Sequence, residues 1–144
     1  MQIKAFGRAL AGLALAGAIL ALPALADTMS YKAELQGSQE VPAVTGNGSG
    51  SAELTYDTAT KKLTWKVTFT GLSGPATAAH FHGPAEAGKN AGVAVPIPGA
   101  TTPMEGSATL TDAQAADLLA GKWYVNIHTA ANKGGEIRGQ VLKK

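Results

Sequence analysis

The sequence has no cysteine, which excludes disulfide staples and any lipid anchor built on a lipobox cysteine. Charge is sparse, at 15% of residues, and beyond residue 26 it is also balanced. Loss of Lys4 and Arg8 takes the 12 Lys and Arg to 10, against 10 Asp and Glu, for a net charge of zero. No basic run remains to attract nucleic acid, and no basic amphipathic helix remains to lie on a membrane surface. After Leu22 there is no second long apolar run, so no membrane-spanning helix is predicted beyond the amino-terminal segment. No G-x-S-x-G elbow supports a Ser-His-Asp hydrolase. Gly46, Gly48 and Gly50 lack the following helix that a phosphate cradle needs. No repeat of solenoid or propeller period occurs.

What is present begins with an export signal. Lys4 and Arg8 form a positive region, Ala9 to Leu22 an apolar one, and Pro23 ends it before an A-x-A cleavage site at Ala24-Leu25-Ala26. No twin arginine precedes the apolar run, which favours the general secretory route. Residues 1–26 are therefore predicted to be a signal peptide, and 27–144 one domain with a periplasmic or secreted location. A domain of that length buries about two-thirds of its unfolded surface, enough for a core to hold it without disulfides.

The remaining chain reads as short strands joined by tight turns. Tyr31, Ala33 and Leu35 alternate with Lys32, Glu34 and Gln36, and Ala52, Leu54 and Tyr56 alternate with Ser51, Glu53 and Thr55. Asp57 to Lys61 is a hairpin connection, and the next strand places Leu63, Trp65, Val67 and Phe69 on one inward face. Ala76 to His82 is a strand with Thr77, Ala79 and Phe81 opposed to Ala78, His80 and His82. Residues 83–103 form a long loop with one short strand at Gly92–Ile97, and Glu105–Leu110 is a further strand. The period changes once: Thr111-Asp112-Ala113-Gln114 fits a capping box, and Ala115, Leu118 and Leu119 make one apolar stripe, predicting a helix over 112–120 closed by Gly121. Strands at Trp123–Thr129 and Ile137–Val141 complete the chain. Seven to eight short strands and one short helix predict an all-β fold, a Greek-key β-sandwich or flattened barrel.

The three histidines of the chain, His80, His82 and His128, all fall in these strands. Alternation puts His80 and His82 on the face opposite Phe81, and Tyr124, Asn126 and His128 opposite Trp123, Val125 and Ile127. Glu136, Arg138 and Gln140 lie opposite Ile137 and Val141. Where such strands pair, opposed Cβ atoms are about 4.5–5.5 Å apart, close enough to share an ion. A His-x-His on one strand sends both rings from the same face, and a third His from another strand makes a three-imidazole site suited to copper or zinc. The same groups could instead hydrogen-bond one another and order the face, or contact a partner. Arg138 opposes a bound cation unless Glu136 neutralises it. Met104 is either a soft copper ligand or packing.

The segments Ala79-His80-Phe81-His82-Gly83-Pro84-Ala85, Trp123-Tyr124-Val125-Asn126-Ile127-His128-Thr129 and Gly135-Glu136-Ile137-Arg138-Gly139-Gln140-Val141 resemble the CHRD domain. So does the opening Tyr31-Lys32-Ala33-Glu34-Leu35-Gln36-Gly37-Ser38-Gln39-Glu40-Val41-Pro42. The resemblance spans about residues 30–142. That domain is named after chordin, an extracellular regulator of growth-factor signalling, and occurs alone in exported bacterial proteins. The resemblance implies an all-β extracellular module without a catalytic role, and it supplies no catalytic residues. The His-x-His is also similar to that of the copper/zinc superoxide dismutases, themselves Greek-key β-proteins, although no further histidines complete a copper-plus-zinc pair.

Three readings follow. The first is an exported, non-enzymatic binding module whose histidine face contacts an extracytoplasmic protein. The second is a periplasmic copper- or zinc-binding protein with His80, His82 and His128 as ligands. The third is a small metal-dependent redox enzyme of superoxide-dismutase-like type.

Overall fold

The computed structural model describes residues 25–144. The predicted signal peptide lies outside the described residues except for Leu25 and Ala26. Nine strands and one α-helix occur among the described residues, with a single 3-10 turn at Gly37–Gln39: β1 Thr28–Gln36, β2 Ser49–Asp57, β3 Lys62–Thr70, β4 Ala76–His82, β5 Val93–Ile97, β6 Met104–Thr109, α1 Asp112–Leu119, β7 Tyr124–Thr129, β8 Ile137–Gln140 and β9 Leu142–Lys143. The expected last strand ends at Gln140; Val141 lies between β8 and β9, its N–H donating to the Trp123 carbonyl at 2.9 Å. The two residues beyond it pair with β1, giving nine strands.

The strands form one antiparallel sheet in the order β5-β4-β7-β8-β1-β2-β3-β6. Its two end strands, β5 and β6, touch, so the sheet is a nearly closed barrel. Around that wall the chain runs up and down through β1, β2 and β3 and then skips two strands to β4. It returns through β5 to β6 and skips again to β7, which is a Greek key. The β2–β3 hairpin forms where Asp57 begins the turn, its Oδ1 accepting from the N–H groups of Ala59 and Thr60 at 2.9 Å each.

Alternation fills the barrel. Tyr31, Ala33 and Leu35 meet Ala52, Leu54 and Tyr56, with Leu63, Trp65 and Val67 beside them and Phe81, Trp123, Val125, Ile127 and Ile137 opposite. Trp65 stands edge-on to Phe81 with ring centroids 5.4 Å apart. Phe69 is on the expected inward face and packs against the core, but it is only half-buried, because β6 pairs with β3 no further than Val67↔Met104. Thr77 is exposed rather than inward. A register irregularity between Ala76 and Ala78 turns Ala76 into the core in its place. The Thr111–Gln114 capping box of α1 is formed at 2.9 and 3.2 Å. Ala115 and Leu118 are buried, but Leu119, expected in the same stripe, is about half exposed. Met104 is buried in the core, away from any histidine face.

On β4, β7 and β8 the outward face is covered as well. Tyr124, Asn126 and Arg138 point away from the core and are nevertheless buried. The 83–92 loop lies over them, held by a hydrogen bond of Arg138 Nη1 to Asn90 Oδ1 at 2.8 Å and another Arg138 bond to the Lys89 carbonyl. Asn90 Nδ2 in turn donates to the Val41 carbonyl at 3.1 Å, tying in the loop after β1. The result is a polar layer between sheet and loops.

Candidate functional site

The strand register brings all three predicted histidines together on this outer layer. His80 lies directly across from Asn126 on the β4–β7 ladder, His82 across from Tyr124, and Ala78 across from His128. His80 and His128 are therefore diagonal neighbours, with ring centroids 4.9 Å apart and Nδ1 of one 3.1 Å from Nε2 of the other. One potential ligand atom from each of the three rings falls within 4.8 Å of the other two. His82 is buried, whereas His80 and His128 are half-buried at the mouth.

Backbone carbonyls fix two of the three rings. His82 Nδ1 lies 3.0 Å from the Ala91 carbonyl oxygen, and His128 Nδ1 lies 2.8 Å from that of Lys133. A carbonyl only accepts, so each of these contacts is a hydrogen bond when Nδ1 carries the ring proton, which leaves Nε2 with its lone pair. Metal-binding histidines are commonly oriented in this way by an outer acceptor. Burial, reinforced by the charges His128 and His82 would carry, depresses the His80 pKa below its ordinary value. Burial also depresses that of His82, with the hydrogen bonds to Ala91 and Asn126 working against it. Both rings thus favour the neutral form, the one that ligates.

The condition set for Arg138, neutralisation by Glu136, is not met. The Glu136 carboxylate accepts instead from Ser73 N–H (2.7 Å), Ser73 Oγ (2.6 Å), Thr129 Oγ1 (2.6 Å) and Asn132 Nδ2 (3.1 Å). Burial alone would raise its pKa, and these donors outweigh burial to hold it below the usual carboxylate value. The Arg138 guanidinium lies over Tyr124, 3.4 Å from the ring centroid, and Tyr124 stacks on His82 at 4.7 Å with the planes 2° apart. The positive charge is thus spread onto a ring face and two loop oxygens.

The acid beside Arg138 is Glu40, which the sequence reading did not single out. It sits just past β1, only 6% exposed, with Oε1 lacking a hydrogen-bond partner. Burial raises its pKa to about 7, against the opposing pull of Arg138 and the Asn126 amide. Asn126 was placed on the correct face by alternation, but its contacts were not foreseen. Its Oδ1 is 3.0 Å from His82 Nε2, and its Nδ2 donates to the Gly134 carbonyl at 3.3 Å.

No helix among the described residues is long and apolar enough to cross a membrane. No curated protein and no solved structure matches the chain. The family model of the CHRD domain matches residues 31–141, from the first buried residue of β1, Tyr31, to the last buried residue of the chain, Val141. The chain belongs to the CHRD domain family.

Proposed function

We propose that this CHRD domain is an exported, non-enzymatic module that binds a divalent copper or zinc ion through His80, His82 and His128. The observation that carries the reading is the gathering of three ring nitrogens within 4.8 Å while backbone carbonyls hold the far nitrogens of His82 and His128. Random polar packing on a sheet face does not require that second set of contacts. At a metal–nitrogen distance of about 2.0–2.1 Å, a tetrahedral site has ligand atoms about 3.3 Å apart. The 3.1 Å between His80 Nδ1 and His128 Nε2 is close to that edge. Imidazole donors suit copper and zinc, and the Met104 thioether, buried in the core, does not join them to favour monovalent copper. The histidines would hold the ion, and the half-buried mouth at His80 and His128 would give it access from solvent.

Export is supported by where the fold begins. Asp27, the residue after the predicted cleavage site, is tied in by its N–H to Thr58 Oγ1 and its carbonyl to Thr58 N–H, both at 3.1 Å. Cleavage after Ala26 therefore spares the domain's bonded structure.

Calorimetry with Cu²⁺ and Zn²⁺ on the wild type and on His82→Ala tests the reading. The expected result is wild-type binding tighter than about 100 μM that His82→Ala abolishes. Because burial keeps His80 and His82 neutral below their ordinary value, affinity should persist as pH falls somewhat under about 6.5. Weaker wild-type binding, or binding indifferent to His82, leaves these histidines as ordering or partner-contact residues.

A further inference from the structure

The contact between His82 and Asn126 is unfavourable as a contact between two neutral groups. His82 faces an acceptor at each nitrogen, the Ala91 carbonyl 3.0 Å from Nδ1 and Asn126 Oδ1 3.0 Å from Nε2, and its neutral ring carries one proton; placed on Nδ1, that proton leaves Nε2 with a lone pair. Asn126 Oδ1, also a lone-pair atom, lies 3.0 Å away. Rotating the amide by half a turn would give Nε2 a donor, but the surroundings forbid it. The Nδ2 end of Asn126 faces the Gly134 carbonyl at 3.3 Å. It also faces Glu40: a Cβ built on Gly135 would stand 2.3 Å from Glu40 Oε1 and 2.5 Å from Asn126 Nδ2, so those two atoms are at most 4.8 Å apart. Turned round, Oδ1 would meet the Gly134 carbonyl, and the Glu40 carboxylate as well wherever that group is ionised. The amide, itself buried, is thereby locked with its oxygen aimed at His82.

We propose that Asn126 Oδ1 is the fourth ligand of the metal site, so that His80, His82, His128 and Asn126 form an N₃O set. This rests on the three-histidine reading above and extends it. A cation placed against both lone pairs turns the repulsive contact into two bonds. The ladder sets His80 directly opposite Asn126, with His82 diagonal to Asn126 on one side and His128 diagonal to His80 on the other. The 3.0 and 3.1 Å spacings are both near the roughly 3.3 Å edge of a tetrahedral site. Glu40 and the Gly134 carbonyl are positioning groups: they hold the amide and do not touch the ion. Gly135, at φ +126°, lets the chain pass close enough for this.

The test is calorimetric titration of the whole mature domain with Zn²⁺ at pH 7.5, for wild type, Asn126→Leu and Asn126→Asp, alongside the metal-free melting temperature of each. Leucine removes the oxygen at similar volume and should weaken zinc binding about tenfold or more. Aspartate keeps the oxygen and adds charge. It should bind zinc about tenfold more tightly even though, facing Glu40, it melts lower without metal. A merely structural Asn126 would make both variants bind more weakly, in step with their lost stability, and that result overturns the proposal. Equal affinity in wild type and Asn126→Leu, with the metal-free His82 ring carrying protons on both nitrogens by NMR, also overturns it, the oxygen then serving a proton. Wild type that does not bind zinc at all removes the three-histidine reading first and this ligand with it. Should Asn126→Leu fail to fold, Asn126→Asp decides alone: no gain in affinity refutes the assignment.

Discussion

Replacing Glu40 by glutamine should make the domain more stable at pH 8 and leave it unchanged at pH 4. Glu40 is buried against Asn126 and Arg138, and its pKa is raised from 4.5 to about 7, chiefly by burial. The folded state therefore holds this proton more tightly than the unfolded chain. Stability from the neutral carboxyl is complete below about pH 4.5, declines as pH rises, and is gone above about 7. At about 1.4 kcal/mol per tenfold change in proton affinity, the whole span would amount to about 3 kcal/mol. Glu40 lies under a surface loop and outside the apolar core, so solvent screening reduces the expected effect to about 2 kcal/mol. Glutamine keeps the shape and stays neutral at every pH.

The wild-type curve alone will not show this, because His80 and His82 act in the opposite sense. Their depressed pKa values mean that the folded state takes protons less readily, so their cost appears as pH falls below about 6.5. Glu136, held below its ordinary value, likewise loses its contribution as pH falls. The quantity to plot is the difference between Glu40→Gln and wild type in urea unfolding, measured without metal every half unit from pH 4 to 8. That difference should rise from near zero to about 2 kcal/mol in favour of the variant, with most of the change between pH 5 and 7. A flat difference, or a variant less stable at pH 8, would refute the reasoning and show that Glu40 is ionised and satisfied in the fold.

Three further outcomes are expected besides those of the zinc and copper titrations. Trp65→Ala, which empties the space against Phe81 and Gly106, should cost about 3–5 kcal/mol by denaturant unfolding. Trp65→Phe also removes the unpartnered buried Nε1 and should cost under about 1.5 kcal/mol. Sequencing of exported protein should begin at Asp27, and a start elsewhere or retention of the segment would discard the signal-peptide reading.

How much of this the sequence discloses depends on which atoms carry the information. Strands β1, β2 and β3 were legible because their apolar residues alternate, and a period of two leaves a single choice of inward face. The histidine face was legible for the same reason: His80 and His82 are two apart around Phe81, and His128 is one step from Ile127. Where one extra residue enters a strand the argument fails, as at Thr77, because a register shift leaves no mark in composition. The failure is more general in the layer outside the sheet. The bond from His82 is to a backbone carbonyl at Ala91, and that from His128 is to one at Lys133, and carbonyl oxygens are the same at every residue. Glu136 was a reasonable partner for Arg138 by alternation along β8, yet four donors from Ser73, Thr129 and Asn132 had already claimed it. Glu40 comes from the far side of a turn, 98 positions before Arg138 in the chain, with no periodic signal linking the two. The sequence thus shows which side chains share the histidine face, while the loops decide what each ring nitrogen faces, the orientation of Asn126 and the charge that answers Arg138. A substitution in those loops that preserves every histidine should therefore still change the zinc affinity measured by calorimetry.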